Sequence, residues 1–127
     1  PYLAASDELK SKPTQHSVKE MLALGIQPDI IVCRTEHPLT DDIKNKIALF
    51  CNVSKECVIE NNNCDILYAV PMMLKEQKMD EVVMKKLGID APNQDLSDWE
   101  EMLYALRNPK QTVKIALVGK YVELHDT

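Results

Sequence analysis

The sequence lacks the long apolar segment that a membrane span requires. No run of about 18 apolar residues occurs anywhere in its 127 residues. Its beginning also lacks the basic, then apolar, then small-residue pattern of a secretory signal. These absences predict a soluble, cytoplasmic protein with no membrane partner.

Cysteine pairs at metal-binding spacing are missing as well. The four cysteines include no Cys-x-x-Cys pair and the three histidines are scattered, so a zinc site is not expected. Any of the four thiols could in principle be a nucleophile, but Cys33 and Cys51 lie in apolar runs, where burial raises a thiol pKa and lowers its reactivity. We expect reduced structural cysteines, no metal ligand and no catalytic residue in this chain.

Basic residues are outnumbered by acidic ones, and the net charge is -5. This balance argues against nucleic acid as the main partner, although an acidic chain can hold a local basic pocket for a nucleotide. Gly119-Lys120 matches the end of a Walker A loop. However, Lys114 replaces the first glycine of that motif and Tyr121 replaces its magnesium-binding hydroxyl residue, so the sequence excludes a P-loop here.

The hydrophobic content of 45% is sufficient for a real core. Both ends of the chain have the pattern of interrupted secondary structure. Residues 1–4 resemble the end of a buried strand, and Thr127 follows a predicted strand and turn. We therefore expect a fragment of a longer protein.

Apolar runs predict the strands. Residues 29–34 have a continuous apolar core between Asp29 and Arg34, which is typical of a central strand in a parallel sheet covered on both faces. Residues 57–60 form a shorter strand that runs into Asn61-Asn62-Asn63, a cluster that favours turns. Residues 114–118 form another strand of the buried type. Helical patterns separate these runs, and the sequence predicts an α/β fold.

The first helix is predicted to begin at Ser17, which forms a capping box with Glu20, or one turn earlier at Thr14. Gly25 is placed to end it in a left-handed conformation. The next helix should begin with Thr40 as its N-cap. It should bury three apolar side chains, with Lys46 off that face; they are Ile43, Ile47 and Phe50.

A kinked helical pair is predicted to follow: Asp65 caps a short helix through Val70, Pro71 breaks it, and the next helix runs from Met72 to Gln77. A further helix from Asp80 should end near Gly88. The methionines of this region could form an adaptable partner surface, but at helical spacing they are typical of core packing. Residues 89–94 have the composition of a linker. Ser97 opens a second capping box, whose helix places four apolar residues on one side: Trp99, Met102, Leu103 and Leu106.

Lysines and hydroxyls are concentrated in residues 8–18, at the mouth of the first predicted helix. Lys10 and Lys12 can donate charge-assisted hydrogen bonds, and the helix dipole and free amides favour an anion at the same place. We interpret the segment as a phosphate-binding loop. The alternative is a solvated basic loop that caps a helix.

Arg34 is predicted at the carboxyl end of a strand, where ligands bind in open α/β sheets. It is therefore a candidate site residue. The alternative is an ion-pair partner on the rim of the sheet.

Several motifs in order resemble the CTP synthase family. They are Glu8-Leu9-Lys10-Ser11-Lys12-Pro13-Thr14-Gln15-His16-Ser17-Val18, Gly25-Ile26-Gln27-Pro28-Asp29, Lys46-Ile47-Ala48-Leu49-Phe50-Cys51-Asn52-Val53, Asp95-Leu96-Ser97 before Trp99-Glu100, and Lys114-Ile115-Ala116-Leu117-Val118-Gly119-Lys120-Tyr121. The resemblance spans the chain. It implies a P-loop, dethiobiotin-synthetase-like parallel-sheet domain with helices on both faces, followed by a linker helix and one strand of the next domain.

The resemblance also implies a domain division. Residues 1–88 would be the C-terminal part of the synthetase (amidoligase) domain and residues 89–112 the interdomain linker. Residues 113–127 would hold the first strand of a truncated glutamine amidotransferase (glutaminase) domain. The glycine-rich phosphate loop, the Mg²⁺ carboxylates and the glutaminase nucleophile would lie outside the fragment, which should therefore be inactive alone.

The function implied for the parent is that of an ATP-dependent C–N ligase of pyrimidine biosynthesis. Such enzymes phosphorylate UTP with ATP and Mg²⁺ and displace the phosphate with ammonia from glutamine. GTP is the allosteric activator, CTP the inhibitor, and a homotetramer the assembly. The alternative is a non-catalytic α/β module that binds nucleotides or forms oligomers.

The resemblance assigns two sets of binding residues. The set for UTP and CTP is Lys10, Ser11, Lys12, Pro13, Thr14, Gln15 and Lys46. The set for ATP is Arg34, Asn62, Asn63 and Cys64.

Three departures from the family pattern bear on these sets. Ser11 stands where the family usually has threonine, and Asn62-Asn63-Cys64 replaces the common Lys-Asp-Val. Asp7 replaces the usual glycine, and its carboxylate should weaken triphosphate binding unless it turns to solvent or pairs with a lysine.

Overall fold

The structure is a computed structural model that describes residues 1–124. The chain divides into two compact units, the first of residues 1–94 and the second of residues 95–127. The last three residues of the predicted amidotransferase segment, 125–127, lie outside the described residues. No described helix is long and apolar enough to cross a membrane.

The first unit is built on a parallel pair of strands, β3 (Ile31–Thr35) and β4 (Val58–Asn62). Ile31 is paired with Val58 and Thr35 with Asn62. A short antiparallel hairpin of β1 (Tyr2–Leu3) and β2 (Glu8–Leu9) precedes them. The α/β class with parallel strands is thus confirmed.

Helices cover both sides of the parallel pair. On one side α1 (Lys12–Ala23) and α2 (Asp41–Cys51) enclose a core. Its buried members are Val18, Ile31, Ile47, Ala48, Cys51 and Val58. Toward the other face, Ile59 of β4 is buried, and α3 (Val70–Glu76) packs on that strand and against α4 (Met79–Leu87).

Two predictions about the sheet were wrong in detail. Asn61 and Asn62 continue β4 instead of forming a turn, because pairing with β3 gives their backbone groups a regular partner. Val32 is 45% exposed, so within the described residues β3 is covered fully on one face only.

Helix α1 begins at Lys12, which is before both predicted starts, by two residues for Thr14 and by five for Ser17. Pro13 lies in its first turn, where a missing N–H has no cost, and the Ser17 hydroxyl donates within the helix to the Pro13 carbonyl at 3.1 Å. The predicted stop is confirmed: Gly25 has φ +80°, and Ile26 N–H donates to the Met21 carbonyl.

Helix α2 begins as predicted, because the Thr40 hydroxyl accepts from Ile43 N–H at 3.3 Å. Its buried face was predicted incorrectly at one position. Phe50 is 62% exposed, while Ala48 and Cys51 are buried with Ile47. Ile47, Ala48 and Cys51, at positions i, i+1 and i+4, face the core, so the side chain of Phe50 lies outside the buried face.

The predicted break at Pro71 is wrong, because Val70 and Pro71 both lie in the first turn of α3, where proline is tolerated, whereas the helix end near Gly88 is confirmed. A 3₁₀ turn, Leu67–Ala69, leads into α3 with Pro71 in its first turn, and α4 is followed by Gly88 at φ +65°. The methionines of this pair are half-buried.

The second unit contains α5 (Ser97–Arg107). Ser97 is inside the helix rather than at its cap, and Asp95 Oδ1 accepts from Ser97 N–H at 2.9 Å. Leu103 is buried, whereas Leu106 is 46% exposed. The strand predicted at residues 114–118 is not formed, because a strand of this type needs a neighbouring strand to bond its backbone and cover its faces.

Candidate functional site

A cavity of about 490 Å³, here called the β3 cleft, opens where β3 ends. Four predicted site residues line it: Lys10, Ser11 and Thr14 from the proposed UTP set and Arg34 from the proposed ATP set. The remaining lining residues are Pro1, Tyr2, Leu9, Cys33, Thr35, Glu36, Leu39, Ile43 and Ile47. The carboxyl end of a parallel strand and the beginning of a helix therefore meet at one cavity.

The N-terminus of α1 reaches this cleft through Ser11 and Thr14. Ser11 is the N-cap residue, but its side chain accepts no capping hydrogen bond from a backbone N–H, and the first turn holds no acidic residue. Gln15 Nε2 donates to the Ser11 hydroxyl at 3.0 Å, which orders that turn. The positive end of the helix dipole is left without a counter-charge from its own first turn.

Three of the predicted residues lie on that turn without lining the β3 cleft: Lys12, Pro13 and Gln15. Lys12 is exposed and forms no ion pair with any residue between 1 and 124. Lys10, by contrast, contacts the Glu8 carboxylate. One lysine at the mouth of the helix is therefore neutralised locally and the other is free to meet an anion.

Lys46 lies in a second, adjoining cavity of about 360 Å³, here called the Lys46 cavity. Tyr2, Leu9 and Ile43 line both cavities. The members of the proposed UTP set that line a cavity are thus divided between two neighbouring cavities, with Lys10, Ser11 and Thr14 in one and Lys46 in the other. Lys46 is exposed, and its pKa is raised, chiefly by the hydrogen bond and the charge of Asp42.

The structure shows how Asp7 is accommodated at its position, which the sequence did not indicate. Its backbone is left-handed, with φ +48°, a conformation that glycine adopts at no steric cost. The Tyr2 hydroxyl donates to Asp7 Oδ1 at 2.6 Å, and the Tyr2 ring packs on His37 with centroids 4.0 Å apart. Donating this bond to a carboxylate raises the pKa of Tyr2. The carboxylate is therefore held by a tyrosine, and not by a lysine.

Arg34 is fixed at the end of the parallel pair. Its Nη1 donates to the Thr35 carbonyl at 2.9 Å and to the Asn61 carbonyl at 3.2 Å, and Nη2 donates to Asn63 Oδ1. No described carboxylate forms an ion pair with it. The rim ion pair proposed as the alternative is not formed by residues 1–124.

The proposed ATP residues come together around a third cavity, of about 310 Å³. They are Arg34, Asn62, Asn63 and Cys64, joined by Asn61, Leu67 and Val70. The Asn62 side-chain oxygen is buried and has no hydrogen-bond partner among the described residues. Among residues 1–124, no group of three or more His, Cys, Asp or Glu could hold a metal ion.

Glu60 was missed by sequence reasoning. Its carboxylate accepts from Leu39 N–H at 2.7 Å and lies 3.8 Å from Lys44 Nζ, and both side chains are about four-fifths buried. Cys33 lies near this pair, and burial raises the pKa of its thiol. The one available signal was an acidic residue directly after the apolar residues of β4. Thr35, the last residue of β3, was also missed, as were Glu36 and Leu39 of the loop that follows it.

Comparison with known proteins agrees with this geometry. Residues 1–89 match the family model described as the CTP synthase N-terminus. The chain is 55% identical over 126 residues to a CTP synthase of Ruminiclostridium cellulolyticum, 56% identical to one of Clostridium beijerinckii and 50% identical to one of Blochmanniella floridana. Each match covers 99% of this chain but only 23% to 24% of the relative, so the chain spans about a quarter of these proteins.

Proposed function

The chain belongs to the CTP synthase family, and from this we propose that it is one part of an ATP-dependent ligase that converts UTP to CTP. Ammonia for the reaction would come from glutamine. The parent would serve pyrimidine nucleotide biosynthesis, with GTP as activator, CTP as inhibitor and a homotetramer as its assembly.

We further propose where the chain lies in the parent. Residues 1–88 would be the C-terminal part of the synthetase domain, residues 89–112 the linker and residues 113–127 the start of the amidotransferase domain. Two observations support this division: the N-terminal family model matches only to residue 89, although the relatives match over 126 residues, and the compact units divide after Gln94. Neither ATP nor glutamine hydrolysis is expected from the chain alone.

The observation that carries the nucleotide proposal is the N-terminus of α1. It has no acidic residue in its first turn and no side-chain cap, and it reaches a cleft lined by Lys10. Free amides, the helix dipole and the first-turn ammonium of Lys12, which forms no ion pair with any described residue, together favour a phosphate group. The triphosphate shared by UTP and CTP would bind here, with Lys12 at the mouth and Lys46 on the adjoining side.

The ATP base would occupy the cavity formed by Arg34 and the asparagines. The buried Asn62 oxygen supports this, because an acceptor without a partner is suited to an N–H donor from a ligand. Mg²⁺ would neutralise phosphate charge, and its ligands would lie outside this chain. The residues described here would bind and orient the two nucleotides.

A pair of substitutions in the full-length enzyme tests the proposal. Lys12→Ala should raise the KM for UTP about tenfold and relax inhibition by CTP, with little change in the KM for ATP. Arg34→Ala should do the reverse, raising the KM for ATP. Lys19→Ala removes another exposed lysine from α1 and should change neither value.

Equal losses for UTP and ATP in both variants would contradict the assignment. A full-length protein that binds UTP but forms no CTP would instead favour a non-catalytic nucleotide-binding module.

A further inference from the structure

Glu60 joins three elements of the first unit. Its carboxylate accepts from Leu39 N–H at 2.7 Å and faces Lys44 of α2 at 3.8 Å. Its backbone N–H donates to Gln77 Oε1 at 2.9 Å, and its carbonyl accepts from Gln77 Nε2 at 2.7 Å. Strand β4, the end of α3 and the beginning of α2 are thus tied together at one residue.

The hydrogen bond between Leu39 N–H and the Glu60 carboxylate holds a loop that borders both cavities of the proposed UTP side. Glu36 and Leu39 line the β3 cleft, while His37 and Thr40 line the Lys46 cavity. Thr40 follows Leu39 directly and caps α2, the helix that carries Lys46. A displaced Leu39 would therefore move the cap, the helix start and the loop together.

Gln77 fixes the backbone of Glu60 in position. Its side-chain amide satisfies both backbone groups of Glu60, the arrangement that a neighbouring strand would otherwise provide. Because the carboxylate and Lys44 are mostly buried, their attraction is screened less than that of a surface pair.

The proposed ATP side does not depend on this carboxylate. Arg34 bonds to Thr35, Asn61 and Asn63, and none of these contacts passes through the Glu60 side chain. Loss of the carboxylate should therefore weaken the binding of UTP without weakening the binding of ATP.

We infer that Glu60 is a positioning residue for the UTP side of the site. It places the loop of residues 36–40 and the start of α2, and through them Lys46, without touching the nucleotide. The inference rests on the proposed function, in which Lys46 binds the triphosphate of UTP.

The test uses the full-length enzyme. Glu60→Ala should raise the KM for UTP about 5- to 10-fold, with kcat and the KM for ATP changed by less than about twofold. Glu60→Gln, whose amide oxygen can still accept from Leu39 N–H, should restore most of the UTP affinity. Glu56→Ala is the matched control, because Glu56 is an exposed carboxylate paired with Lys85, and it should leave both KM values unchanged.

Equal increases in both KM values, or no rescue by glutamine, would overturn the inference. If Glu60→Ala does not fold, Glu60→Asp replaces it: it keeps the charge near Lys44 but is one methylene too short for Leu39, and it should also raise the KM for UTP. Lys46→Ala is measured in parallel. An unchanged KM for UTP in Lys46→Ala would contradict the proposed function itself, whereas a change in Lys46→Ala but not at Glu60 would contradict only this inference.

Discussion

Lys46 Nζ lies 2.7 Å from Asp42 Oδ2, one helical turn earlier on α2. The same carboxylate raises the pKa of Lys46, through its hydrogen bond and its charge. A triphosphate that binds Lys46 must therefore compete with Asp42 for the ammonium group. Because the pair is exposed, the ion pair itself contributes little to stability and can be exchanged for a better partner.

Lys46→Ala in the full-length enzyme should raise the KM for UTP about tenfold and weaken CTP inhibition to a similar extent. Both effects are expected because substrate and inhibitor are proposed to share one triphosphate position. Steady-state kinetics with varied UTP, with and without CTP, measures them. Glutamine hydrolysis is the internal control and should persist; a variant with unchanged UTP and CTP constants would place Lys46 on a solvated helix face.

Asp42→Asn should have the opposite effect, because it releases Lys46 from its partner. We expect the KM for UTP to fall about two- to fivefold. Asp41→Asn is a matched control: Asp41 also lies in the first turn of α2, but it pairs with Lys55 at 3.0 Å. Both variants lose one favourable charge at the helix N-terminus, so a difference between them reports the release of Lys46. Identical KM values in the two variants would be evidence against competition by Asp42.

Tyr2→Phe should weaken UTP binding more than Asp7→Gly does. The phenylalanine variant frees the Asp7 carboxylate near the proposed phosphate site, whereas the glycine variant removes the carboxylate and suits the positive φ. The double variant should bind UTP as well as Asp7→Gly alone. Isothermal titration with the full-length enzyme measures all three, and a double variant as weak as Tyr2→Phe would show that the tyrosine acts in another way.

The four cysteines of this chain should react with a thiol reagent at different rates. Cys64 is exposed and should react quickly with a thiol reagent, while the buried Cys51 and Cys57 and the half-buried Cys33 should react slowly until the chain is unfolded. Burial raises the pKa values of Cys33 and Cys51 above the ordinary 9.0, which lowers their thiolate fractions further. Timed labelling followed by peptide mapping checks this, and rapid native labelling of Cys51 would disprove it.

The raised pKa values of Cys33 and Cys51 should also make the stability of the fold depend on pH. Since their pKa values are raised in the folded state, the unfolded chain loses these protons first as the pH increases. Their contribution is complete below about pH 9 and is lost as the pH rises through the folded-state pKa values. Denaturant unfolding at a series of pH values should show this decline, and Cys33→Ala should reduce it.

Local signals in the sequence were sufficient for much of the fold. The apolar runs located β3 and β4, Thr40 marked the start of α2, and Gly25 and Gly88 marked helix ends. Each of these features depends on residues within about one turn of each other, so the local sequence contains the interactions that form it. The two binding sets rest on family resemblance, and their roles stay predictions.

The tertiary structure decided what depends on distant partners. The exposure of Phe50 depends on how α2 is rotated against the core, and residues 114–118 have strand composition but no neighbouring strand to satisfy their backbone. Leu39 and Glu60 are 21 positions apart, and no local pattern pairs them. The sequence by itself determined the elements, the family and the candidate residues, because short-range propensity and motifs encode these. Only the folded chain brought Tyr2 to Asp7 and Glu60 to Leu39, because hydrogen bonds between loops and strands require positions that the packing of the whole unit sets.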